Sequence, residues 1–446
     1  MLEKIFHLSS HQTTIKREIL AGLTTFLTMA YIIFVQPTVL TTDFAGHPTG
    51  LDFGAVLLAT CLISAATTIF MGCFANYPIA LAPGMGENFF FVSVIMALTA
   101  LGVPEAWRVA LGVVFIAGVL FLVLSLLHVR EVLLNAISPS LRNGIAVGIG
   151  LFITLIGFQH GHVIVSKPGT MLGLNTHFIS ADIAVFFIGL IVTSVLLARR
   201  VRGSILIGIL VSTIVAVLLG EIHFKGIFGL PTIEHQIAFQ MDIRQALSLI
   251  CLPFIVVFLF MDMFDTLGTL IGVAETAGFM KENKLPRAHR VLIVDAAGTV
   301  GGACLGTSTV TSYIESATGV AYGGRTGLTS VATGLLFLLA LFFSPLISTV
   351  GEYSPITAPA LIIVGAIMIQ NVKKIDWQDY SESIPAFLTM VGIPLCYSIA
   401  DGLAFGFISY PIIKYFSGRK KGVSWLMYVM AFLLLAYFIF IRARLS

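Results

Sequence analysis

Five carboxylates stand where apolar sequence should exclude them. The stretch Leu252–Phe279 reads LPFIVVFLFMDMFDTLGTLIGVAETAGF, with Asp262 and Asp265 deep inside it. Their i, i+3 spacing puts both on one helix face, which Thr266 and Thr269 adjoin. Glu87 and Asn88 follow Ala-Pro-Gly-Met-Gly, Glu315 follows a Thr/Ser-rich run, and Asp295 lies in the next apolar stretch. A carboxylate in hydrocarbon costs several kcal/mol unless it is paired or faces a cavity. No Lys or Arg sits at the same depth, so a cation or a proton must neutralise these groups. That requirement predicts a cation-coupled carrier, with Asp262 and Glu315 as the proton-coupling candidates. Asp295 and Glu87 read more simply as helix–helix hydrogen-bonding groups.

Two broken segments must position these acids. In Tyr77–Phe91 (YPIALAPGMGENFFF) the residues Pro78, Pro83, Gly84 and Gly86 forbid a continuous helix. Gly306–Val320 (GTSTVTSYIESATGV) opens on Thr and Ser, which favour extended backbone or caps over helix interior. Each predicts a short extended piece followed by a half-helix, leaving unpaired N–H groups near the membrane centre. Two such elements facing each other would form a polar pocket for a small planar ligand.

The rest of the chain supplies spans. Of 446 residues, 57% are hydrophobic and 11% charged, less than half the usual share for a soluble domain. Continuous apolar runs predict helices, since a barrel would alternate with period two. Fourteen segments, the third and tenth interrupted, fill 17–416, and the apolar run 424–441 is a further, unassigned helix. Most of the 25 Lys and Arg then fall on one side, with Arg108, Lys167, Lys225 and Arg244 on the other. A multi-pass inner-membrane protein with a cytoplasmic N-terminus follows, with no cleavable signal peptide. Gly118 recurs at Gly334, Leu120 at Leu336, and Ser138-Pro139 at Ser354-Pro355. The expected organisation is a cytoplasmic 1–16, two inverted seven-segment repeats at 17–241 and 242–418, and a C-terminal hydrophobic segment and tail at 419–446. The cysteines Cys61, Cys73, Cys251, Cys304 and Cys396 read as buried small hydrophobes. No phosphate loop, nucleophile elbow or metal-ligand spacing occurs, so no catalytic residue, cofactor or metal site is expected.

Four stretches, EILAGLTTFLTMAYIIFVQP (18–37), APGMGENFFF (82–91), FMDMFDTLGTLIGVAETAGF (260–279) and GTSTVTSYIESATGVAYGGRTGLT (306–329), carry a resemblance. The chain resembles the nucleobase–cation symporters of the ascorbate/uracil-permease fold, in their AzgA-like purine permease branch. The resemblance implies a core (17–127 and 245–350) moving against a gate (130–220 and 355–416). It implies a purine between the third and tenth segments, clasped from the eighth. The substrate-binding roles would fall to Asn88, Asp262, Asp265 and Glu315, with Thr266 beside them and backbone around Phe89 and Ile314. Glu87 departs from the family pattern, which has Leu there.

A purine presents a flat face and a hydrogen-bonding edge. Glu315 and Asp262 can accept its N–H groups, and Phe89, Phe90 or Tyr313 can stack on its rings. A carboxylate at 262 suits the N1–H of guanine and hypoxanthine better than the bare N1 of adenine. The expected function is proton-coupled purine uptake, guanine and hypoxanthine ahead of adenine, with Na⁺ the alternative coupling ion. The expected partners are the purine, the lipid bilayer and a second copy in a homodimer, and no nucleic acid. An anion or uracil/xanthine carrier of the same fold is the runner-up, ahead of an intramembrane enzyme or receptor.

Overall fold

The computed structural model describes residues 2–44, 46–127, 137–167, 171–279, 286–419 and 423–440. The first half runs α1 (Leu2–Phe6), α2 (Ile15–Met29), α3 (Ile32–Thr41), α4 (Phe53–Phe70), β1 (Leu81–Pro83), α5 (Met85–Ala100) and α6 (Ala106–Leu126). It continues with α7 (Pro139–His160), β2 (Ile164–Lys167), β3 (Met171–Leu174), α8 (Ala181–Ala198) and α9 (Ser204–Leu218). The second half runs α10 (Ile243–Ala246), α11 (Leu252–Ala277), α12 (Ala288–Leu305), β4 (Val310–Ser312), α13 (Ser316–Tyr322), α14 (Gly327–Ala340) and α15 (Ser344–Gly351). It ends with α16 (Ala358–Met368), α17 (Tyr380–Leu395), α18 (Ile399–Phe416) and α19 (Trp425–Phe440). Of the basic residues used for orientation, Arg130, Lys281, Lys284, Lys420, Lys421, Arg442 and Arg444 lie outside the described residues.

Several helices start at a Ser, Thr or Asp whose side chain accepts a first-turn N–H: Thr14, Asp52, Ser138, Ser180, Thr326, Asp379 and Ser398. Among the described residues, six helical stretches are long and apolar enough to cross a membrane, and α5, α9, α14 and part of α19 form shorter apolar helices. Two expected spans are divided. The segment 17–40 breaks at Ala30-Tyr31, where the Ile33 and Phe34 N–H groups bond three residues back. The segment 328–350 breaks ahead of Ser344-Pro345, since proline restricts the residue before it and suits only the first turn of a helix. Cys61 and Cys251 are buried as expected, whereas Cys304 and Cys396 are half-buried and Cys73 is exposed near the end of its span.

The helices pack in two sets. α2, α4, α6, α12, α13 and α14 pack together, with α3 against α4 and α11 against α6 and α13. α7, α8, α9, α16, α17 and α18 form the other set. α5 packs against α6 on one side and against α7 and α18 on the other, so it lies along the seam. Close approach inside the first set relies on glycine. A Cβ on Gly327 would sit 1.9 Å from the carbonyl oxygen of Gly72, so no larger residue fits there. The two strand–helix elements start at Leu81 and Val310, further apart in sequence than Gly118 and Gly334. One fixed offset therefore does not superpose the whole chain on itself.

Candidate functional site

Both broken segments begin as strands, and the strands pair. β1 and β4 run antiparallel, with Leu81 opposite Ser312, Ala82 opposite Thr311 and Pro83 opposite Val310. Gly84 N–H bonds the Thr309 carbonyl at 3.0 Å and Tyr313 N–H bonds the Ala80 carbonyl at 2.9 Å. A two-stranded sheet inside a membrane protein still has two outer edges whose backbone groups need partners. Threonine hydroxyls supply them. Thr68 of α4 exchanges bonds with the Leu81 N–H and carbonyl, both at 2.9 Å. Thr299 of α12 accepts from Val310 N–H at 3.1 Å. Each half-helix then starts just beyond its strand, α5 after Gly84 and α13 after Glu315.

The acids gather round this crossing. Asp262 is 2% exposed, and its Oδ2 lies 2.7 Å from the Thr299 hydroxyl. A hydroxyl has one proton, and this short contact takes it. Asp262 Oδ1 is buried without a partner. Asp265, one turn on, is exposed, and the Thr311 hydroxyl reaches its Oδ2 at 3.3 Å. Thr266 lies 2.8 Å from Thr311, so α11 is tied to β4 at adjacent positions. Asp295 is fully buried and accepts from Ser312 at 3.2 Å, leaving Oδ2 unpartnered. Glu87 folds back over Gly84, where a Cβ would meet its Oε2 at 2.2 Å. The first turn of α5 suits a negative group there, yet Oε2 also lacks a partner. Glu315 is partly exposed and its Oε1 accepts from the Tyr31 hydroxyl at 2.9 Å. Among the described residues none of these five acids makes an ion pair. No three His, Cys, Asp or Glu side chains among them are placed to hold a metal ion.

The remaining expected site residues divide by exposure. Ile314 is 44% exposed, beside Glu315. Tyr313 is buried and donates to the Pro83 carbonyl, pinning the two broken segments together. Asn88 is fully buried, and both ends of its amide are engaged: it donates to Gln36 and accepts from Ser308. Gln36 in turn donates to Thr307 at 2.8 Å. Phe90 packs on Phe258, ring centroids 4.6 Å apart, inside the first helix set. Phe89 stacks on Phe44 at 6.2 Å and meets Phe152 edge-on, and Phe44 also meets the Phe152 and Tyr397 rings. That aromatic cluster joins α5 to α7 and to the turn between α17 and α18. Asp265, Gly268 and Ile314 are exposed, and Glu315 is partly so.

This geometry offers a neutral edge-binding molecule two reachable carboxylates, neither of which is ion-paired among the described residues. Sequence reasoning did not single out Tyr31, Gln36, Thr68, Thr299 or Ser312. Tyr31, Gln36, Thr68 and Thr299 are polar residues within apolar runs, and Ser312 stands in the Thr/Ser run before Glu315.

Known proteins share this chain's sequence and fold. The family model described as "Permease family" matches residues 16–405. A putative permease of Methanocaldococcus jannaschii, MJ0326, is 49% identical over 442 residues, covering 99% of this chain and 98% of the relative. The guanine/hypoxanthine permease PbuG of Bacillus subtilis (strain 168) is 44% identical, covering 99% of this chain and all of the relative. The adenine permease AdeP of Escherichia coli (strain K12) is 41% identical, covering 100% and 97%. The transmembrane domain of the cyanobacterial bicarbonate transporter BicA shares the fold, with a TM-score of 0.62 at 16% identity, over 88% of this chain and 97% of that one. The relatives are transporters and not enzymes. The chain is a helical, multi-pass membrane protein, and it belongs to the permease family.

Proposed function

We propose that this chain takes up purine nucleobases together with protons, guanine and hypoxanthine ahead of adenine. The observation that carries the reading is the pair of reachable carboxylates, Asp265 and Glu315, beside a buried strand crossing and without an ion pair among the described residues. Purine N–H groups are hydrogen-bond donors, and a carboxylate accepts them with charge assistance. Asp262 stands one turn behind Asp265 with Oδ1 free, placed to take the N1–H of a purine that enters further. Asn88 serves the same site by holding the crossing together through Gln36 and Ser308. An acid that binds substrate well in only one protonation state couples the two fluxes. Na⁺ is the other cation these acids would accept.

The reading extends to movement. Fourteen spans in two inverted repeats, with the N-terminus in the cytoplasm of a plasma-membrane protein, leave α19 as an added helix packed on α18 and α11. The first helix set, with the crossing strands, slides as a core against the second set, the gate. A homodimer would hold the gate still while the core moves. Arg142, cytoplasmic in this topology, stands over the Phe264 ring at 5.3 Å, next to Asp265. The open side therefore faces inward, and the Phe44–Phe89–Phe152–Tyr397 cluster is the closed outer side.

The test is uptake of labelled hypoxanthine by cells lacking their own purine permeases, with a panel of competitors. Guanine and hypoxanthine should compete best, adenine less and uracil least. Labelled adenine uptake unaffected by excess guanine and hypoxanthine would overturn the order. Absence of purine uptake altogether would overturn the substrate class.

A further inference from the structure

The first span breaks at Ala30-Tyr31, and no proline or glycine at those two positions dictates the break. What the break achieves is the placement of Tyr31. Its side chain is 2% exposed, and its hydroxyl donates to Glu315 Oε1 at 2.9 Å, across 284 residues of sequence. One turn earlier the Thr28 and Thr318 hydroxyls lie 3.0 Å apart, so the first span holds the start of α13 at two levels, from α2 and from the break after it. The phenol is a rigid arm with a single proton, and that proton points at a half-buried carboxylate at the start of α13.

We propose that Tyr31 is a positioning residue for Glu315. It occupies one carboxylate oxygen, fixes the side-chain rotamer and leaves the other oxygen for the substrate. The inference rests on the reading of Glu315 as a substrate-facing acid. A hydrogen bond to a charged group is stronger than one between neutral groups and favours the charged form. Tyr31 therefore bears on both the affinity for substrate and the protonation of the site. Among the described residues, the titratable groups that act on Glu315 are Tyr31, Tyr313 and Asp265, and none of these carries a positive charge.

Tyr31→Phe removes the hydroxyl and keeps the ring. The full-length variant and Glu315→Gln are assayed for hypoxanthine uptake across a pH series, for KM and maximal rate, and for Tm of the purified protein without substrate. The inference predicts that Tyr31→Phe raises KM about tenfold, displaces the pH profile and leaves the Tm and the amount in the membrane near those of the parent. A parent-like KM and pH profile, with Glu315→Gln inactive, overturns the inference and leaves the Glu315 reading intact. A lowered Tm with an unmoved pH profile makes Tyr31 a packing residue and also overturns it. Normal uptake by Glu315→Gln overturns the reading itself.

Discussion

Thr299 of α12 reaches two partners from different elements: it meets Asp262 Oδ2 of α11 at 2.7 Å and accepts from the Val310 N–H of β4 at 3.1 Å. One hydroxyl thus satisfies a sheet edge and orients an acid. Thr299→Val keeps the shape and orphans both partners. The expected cost is about 1–3 kcal/mol of stability, together with loss of most hypoxanthine uptake, whereas Thr299→Ser retains both. Thermal unfolding in detergent and uptake assays check this. A Thr299→Val protein as stable and active as the parent would contradict the assignment.

Glu18 is a second buried acid with a different role. It is fully buried and accepts from Arg325 N–H at 2.9 Å, Thr326 N–H at 3.2 Å, the Thr326 hydroxyl at 2.9 Å and the Thr329 hydroxyl at 2.6 Å. These groups include the start of α14, so Glu18 caps that helix from α2. Glu18→Ala should cost about 3 kcal/mol and Glu18→Gln about 1 kcal/mol. Neither should change the hypoxanthine KM of the protein that remains folded. A rise in KM at unchanged Tm would instead place Glu18 in substrate binding.

The conformation predicts which side reaches the site. Ile314 is exposed, and in the proposed inward-facing orientation the cluster of Phe44, Phe89, Phe152 and Tyr397 lies on the outer side. With the native cysteines replaced, Ile314→Cys should react with an impermeant maleimide in inside-out vesicles and hardly at all in intact cells. Bound hypoxanthine should slow the reaction. Preferential labelling from outside would reverse the proposed direction.

One pH effect lies outside the spans. The Ser381 hydroxyl at 2.7 Å and its N–H at 2.9 Å hold the Asp379 carboxyl below its usual range, with Lys414 and Arg419 adding to the effect. A depressed carboxylate adds stability that is present above its unfolded-state value and lost as pH falls through the folded one. Asp379→Asn should therefore lower Tm at neutral pH, and the gap should narrow as the medium is acidified below the ordinary Asp range. A gap that stays constant to low pH would show that charge is not what Asp379 contributes.

The broken segments were legible because Pro78, Pro83, Gly84 and Gly86, and the Thr/Ser run before Glu315, leave a helix no way to continue. The acids were legible because lipid makes a stray carboxylate costly. Their ranking was not. Sequence put Asp262 foremost, but in this conformation Asp265 is the reachable acid and Asp262 lies behind it, held by Thr299. Helical spacing gives a shared face and not a depth. Asn88 was legible as polar, but its engagement by Gln36 and Ser308 depends on partners 52 and 220 residues away. The same distance hid Tyr31 and Glu18, and an all-apolar run does not tell Phe89 at the seam from Phe90 in the helix core.

The central claim is that purine movement is driven by protons through Glu315. The direct measurement uses purified protein in liposomes, labelled hypoxanthine and an imposed pH gradient, acid on the side of substrate addition. The account predicts accumulation above the outside concentration, collapse on adding a protonophore, and none of this with Glu315→Gln. Equilibration without accumulation, or accumulation that persists in Glu315→Gln, would contradict it.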